Sequence, residues 1–158
     1  MDEAFKIFVD RLKGGKVEKI DHSFAPDFID VKEKDLSFPA GVEVRGEAYV
    51  TNEDLVLHLD IGTVGVMPCS ICNNPVDVRV DVAGCYHVES LKKIKAGIFD
   101  MRDAIRESVL LECPAFAECN EGSCPKRKEL GKFLKTSSSV ESDVEVEGYH
   151  PFTDLTLE

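Results

Sequence analysis

Two cysteines separated by Ser70 and Ile71 stand mid-chain in MPCSICNNP, residues 67–75. Cys69-x-x-Cys72 is compatible with half of a metal site, a redox pair, or two thiols that are merely close. The flanks, Pro68 before the pair and Asn73-Asn74-Pro75 after it, are turn-forming residues. A tight turn lets two thiolates converge on one ion, with turn amides nearby to meet the negative charge. A tetrahedral structural site needs two more ligands. CPAFAECNEGSCPKR supplies Cys113, Cys119 and Cys124. Cys119 and Cys124 flank NEGS, a loop short enough to bring both sulfurs to one point, whereas Cys113 lies at a helix end beside Leu110 and Leu111 and reads as packing. The expected ligand set is Cys69, Cys72, Cys119 and Cys124, holding a structural zinc.

The competing readings are reduced, buried thiols without a metal and a thioredoxin-like redox pair. A redox pair characteristically opens a helix, whose amides lower the nucleophile's pKa; here a strand pattern follows instead. Cys85 and His87 fall on the polar face of the alternating pattern and are candidate replacement ligands. His22, His58 and His150 have no partner pattern. No Ser-His-Asp or Cys-His-Asn arrangement and no convergent carboxylate pair is found, so no catalytic residue is assigned.

The elements that must position these cysteines read from periodicity. DEAFKIFVDRLKGG, with Phe5, Phe8, Val9 and Leu12 at helical spacing, Asp2 as cap and Gly14-Gly15 as terminator, predicts a short helix. From Lys16 to Val88 the period becomes two. Val42, Val44, Ala48 and Val50 share one face; so do Leu55, Leu57, Leu59 and Ile61, then Val76, Val78, Val80 and Val82. Three such strands, the first two joined by a turn at TNED, predict an antiparallel sheet with one wet side, open or barrel-like. The stretch from Lys16 to Phe38 is expected to add one or two strands. FDMRDAIRESVLLECP predicts a helix with Asp100 as N-cap and Pro114 as stop. PKRKELGKFLK predicts a third, with Leu130, Phe133 and Leu134 inward. The expected fold is α+β: one domain over residues 1–135 and an acidic, flexible tail over 136–158.

Charge bounds the partners. The 158 residues carry a formal net charge of −11, unlike a general nucleic-acid binder. Residues 91–135 hold 10 basic and 7 acidic residues, whereas residues 136–158 hold 6 acids and no base. Lys92, Lys93, Lys95, Lys126, Arg127, Lys128, Lys132 and Lys135 thus form a basic island, the expected surface for RNA or a partner. A solvated helix face is the plainer reading of the same residues. The start of the chain carries acids where a signal peptide carries bases, and no apolar run spans a bilayer, so a reducing cytoplasm and no membrane are expected. There, six cysteines read as thiols or ligands rather than disulfides.

Together, C-x-x-C before a strand, a helix ending LLECP, the loop CNEGSCPKR and the terminal HPF-x-x-L resemble the YceD family, the large ribosomal RNA subunit accumulation proteins of bacteria and chloroplasts. The resemblance covers roughly residues 40–158. Ile71 stands where many members have Arg, and Lys126-Arg127 replace a Cys-Gly pair. The resemblance implies a non-enzymatic factor supporting 23S ribosomal RNA accumulation and processing and large-subunit assembly, with ribosomal RNA or assembly proteins as partners. It also implies a metal that is a staple rather than a shared catalytic feature. The alternatives are a zinc-stapled protein-interaction adaptor without RNA contact and, last, a C-x-x-C thiol oxidoreductase.

Overall fold

The alternating run between residues 42 and 90 builds the centre of the fold. In a computed structural model, which describes residues 2–133, it forms strands β3 (Val42–Thr51), β4 (Asp54–Pro68) and β5 (Pro75–Ser90). β2 (Glu18–Phe24) adds one more, giving an open antiparallel sheet in the order β2-β3-β4-β5. The sheet does not close into a barrel. Of the stretch 16–38, only β2 and a bridge from Ser37 to Val66 pair with it. A two-residue turn at Asn52-Glu53 joins β3 to β4, with Asn52 in the left-handed region (φ 54°) that asparagine tolerates.

In β3, β4 and β5 the apolar alternation faces the core. Val42, Val44, Leu55, Leu57, Leu59 and Val80 are buried to within about one per cent, burial that supplies the main driving force for folding. The first helix is corrected. Residues 2–5 form a 3₁₀ turn, β1 (Lys6–Phe8) is a strand, and only α1 (Val9–Leu12) is helical. The period-two set Phe5, Ile7 and Val9 is buried, and tertiary pairing outweighs the helical pattern. β1 pairs antiparallel with β6 (Ile98–Asp100), and the Met101 amide donates to the Phe5 carbonyl at 2.9 Å. This small sheet aims α2 (Arg102–Glu112) onto the inner face of the large one, where Met101, Ile105 and Val109 complete the core. Asp100 sits one residue before the N-cap Met101, and its carboxylate accepts the Arg102 amide at 3.0 Å. α2 stops at Cys113, as the following Pro114 demands.

The chain divides into two units, Met1–Lys126 and Arg127–Glu158, so the boundary falls inside the span that the sequence pattern assigns to one domain. Of the second unit, α4 (Arg127–Leu130) is a single turn. Leu130 and Phe133 are 40% and 83% exposed rather than inward. Leu134 and residues 136–158, with the HPF motif, lie outside the described residues.

Candidate metal centre

The β4–β5 hairpin ends in a tight knuckle. After Pro68, the Cys69 amide donates to the Asn74 carbonyl at 2.7 Å and the Asn73 amide to the Cys69 carbonyl at 2.9 Å. Asn73 takes a left-handed conformation, φ 61°, which turns the chain back into β5. That curl sets the sulfurs of Cys69 and Cys72 on one side.

The segment after α2 reaches the knuckle as a short parallel bridge. Ala117 lies against Cys69, and the Ser70 amide donates to the Ala117 carbonyl at 2.8 Å. α3 (Cys119–Gly122) is a single turn wound left-handed at Asn120 and Glu121, closed by the Ser123 amide on the Asn120 carbonyl. The Asn120 side-chain amide donates to the Ser123 carbonyl at 3.1 Å. Cys119 and Cys124 thereby face the same point. The Glu118 carboxylate accepts the Cys124 amide at 2.8 Å and fixes the far end of the loop. Nothing in the spacing of the cysteines foretold Glu118 or the pairing at Ala117.

All four sulfurs lie within 4.8 Å of one another. The Cys72–Cys119 pair is 3.6 Å apart, too far for a disulfide. Thiolates about 2.3 Å from a tetrahedral ion stand about 3.8 Å from each other, so the Cys72–Cys119 separation matches one edge of such a site and the other sulfurs lie close enough to share an ion. Cys69 and Cys124 are buried and Cys72 and Cys119 half-buried. Electrostatics separates the thiols. The Cys119 amide donates to the Cys69 sulfur at 3.3 Å, and this bond above all lowers the Cys69 thiol to about 6. Its hydrogen bond with Cys124 pushes Cys119 up to about 12, and burial pushes Cys124 up. Mutual proximity and burial thus disfavour a second thiolate in this space.

The other candidates fall elsewhere. A β-bulge sets Ala83 and Gly84 against the single Asp60, with Gly84 at φ +60° and its amide donating to the Asp60 carboxylate at 2.6 Å. The extra residue reverses the face of everything after it. Cys85 and His87 therefore turn inward, opposite Leu59 and Leu57, which corrects their placement on the polar face. Cys85 packs on the core with its sulfur 3.9 Å from the Ser108 hydroxyl, and the His87 ring lies 5.5 Å from Phe99. Neither belongs to the sulfur cluster. Cys113 also packs against the core, with its thiol raised by burial and by Glu33.

Of the basic residues, Lys92 pairs with Glu53, and Lys93 with Glu89 at 3.5 Å. Lys95 lies in a 3₁₀ turn after β5, and Lys126 two residues beyond Cys124. Arg127, Lys128 and Lys132 belong to the second unit, and Lys135 lies outside the described residues. Among the described residues no helix is long and apolar enough to cross a membrane. No family model, no curated protein and no solved structure matches this chain.

Proposed function

We propose that the chain is a zinc-stapled, non-enzymatic binding module that supports 23S ribosomal RNA accumulation and large-subunit assembly in the cytoplasm. The carrying observation is the gathering of Cys69, Cys72, Cys119 and Cys124 from two distant turns into one closed set. Four soft thiolate ligands favour zinc over hard, oxygen-seeking ions, and a set of four cysteines leaves no open position for substrate or water. Such a metal staples. It joins the β4–β5 knuckle to the segment that leads to Lys126, so the start of the basic segment is held where the metal is held. The resemblance of the cysteine motifs to the YceD family supplies the ribosomal context.

A second reading is favoured by the net charge of −11, which suits an adaptor that meets a protein rather than RNA. Affinity purification of the tagged protein from its own cells separates the two. Ribosomal RNA that remains bound after high-salt washing supports the first reading, and assembly proteins that persist after ribonuclease treatment support the second. Recovery of neither contradicts both.

A further inference from the structure

The outer face of the large sheet carries a patch that the cysteine centre does not explain. Register sets Tyr49 opposite Val56 and Glu47 opposite His58. On the other side of β4, Val56 faces Val88 and His58 faces Tyr86. The His58 and Tyr86 rings stack with centroids 4.3 Å apart and planes within 10°. Tyr86 is 64% exposed and Val88 56%, on a face where the remaining strand positions are mostly charged. Asp54 and Asp60 lie two residues to either side of the Val56–His58 pair on β4, and Glu47 lies within the patch. Register sets Lys19 opposite Glu47 and Arg45 opposite Asp60, but Arg45 pairs with Asp21 and Glu43 instead, and among the described residues no ion pair engages Glu47, Asp54 or Asp60.

We propose that this face docks an extended, arginine-rich segment of a partner protein. Charge and shape choose the occupant. A guanidinium is flat and weakly hydrated, so it stacks on exposed aromatic rings while its edge donates in pairs to carboxylates. The stacked rings and the three acids offer both contacts within the width of three strands. Nucleic acid is disfavoured because its phosphates would meet Glu47, Asp54 and Asp60. A second copy through the same face would bring two acidic patches together. Residues 136–158, with 6 acids and no base, are repelled for the same reason. The inference depends neither on the metal nor on the ribosomal reading.

The test is fluorescence anisotropy of the full chain with a short labelled peptide alternating Arg with Val, at roughly physiological salt. A single-stranded RNA oligomer and an alternating Glu-Val peptide serve as comparisons. The Arg peptide binds, and Tyr86→Ala or Glu47→Lys each weakens it by about tenfold. Reversing Asp103 and Glu107, exposed on α2, leaves binding unchanged. Because Tyr86→Ala also removes the ring stack, Val88→Ser and amide-shift mapping on the wild type give an independent reading, with shifts expected at Glu47, His58 and Tyr86. The proposal is overturned by absence of binding, by equal weakening from the α2 reversals, or by shifts elsewhere. It is equally overturned if the RNA oligomer binds more tightly than the Arg peptide.

Discussion

Treatment with a strong chelator tests the proposed staple. The sulfur cluster closes a loop of 47 residues between Cys72 and Cys119. In the chain-entropy treatment of a cross-link, closing a loop of that length restricts the unfolded chain by about 4 kcal/mol. For a unit the size of Met1–Lys126 this corresponds to a fall in Tm of roughly 10–15 °C. The loss is not uniform. The inner faces of β3 and β4 are closed by Leu55, Leu57, Leu59, Val42 and Val44, none of which belongs to the sulfur cluster, and α2 covers them. Residues 114–126 are held to the knuckle by the Ser70–Ala117 bond, the Cys119 amide on the Cys69 sulfur and the cluster itself. Hydrogen exchange with and without a strong chelator is the assay, read beside thermal melting. Amides of Ser70, Cys119 and Cys124 should lose protection, while those of Val44, Leu57 and Leu59 keep it. Equal loss in the strands would refute the division of labour, and an unchanged Tm together with unchanged exchange would refute the staple.

Three further outcomes are expected. A Cβ at Gly46 would stand 2.0 Å from the His58 carbonyl oxygen, a backbone atom that cannot move aside, so Gly46→Ala should cost on the order of 3 kcal/mol in a denaturant titration. Arg102 beside Asp100 lowers that carboxyl below its ordinary 3.8, so its contribution is present above about pH 4 and lost as pH falls below it. With both side chains about 40% exposed, the contribution is about 1 kcal/mol or less, and the melting difference between wild type and Asp100→Asn should shrink in acid. Reversing charge at Lys126, Arg127 and Lys128 should weaken binding of ribosomal RNA fragments and flatten its salt dependence; an unchanged salt slope would leave these residues as a solvated face.

The sheet was legible because its inner face is buried and its outer face wet, so each of β3, β4 and β5 writes the alternation into the chain. The gathering of Cys69, Cys72, Cys119 and Cys124 was legible for a related reason: two cysteine pairs sit in turn chemistry, which can bring their sulfurs to one point. Failures arose where tertiary pairing competes with local pattern. Phe5, Phe8, Val9 and Leu12 fit a helix while Phe5, Ile7 and Val9 fit a strand, and only pairing with residues 98–100 decides. Cys85 and His87 were misplaced because alternation was carried through Gly84. A glycine inside a strand pattern signals a bulge, and that signal was available. The exposure of Leu130 and Phe133 could not be foreseen, since helical spacing of apolar residues says nothing of whether a partner covers them.

The central claim is that Cys69, Cys72, Cys119 and Cys124 hold one structural zinc. Elemental analysis of full-length protein purified without chelator, set beside a Cys72→Ser/Cys119→Ser variant, tests it most directly. The account predicts one zinc per wild-type chain and none in the variant. A wild-type protein free of metal, or a variant that keeps its zinc, would contradict it.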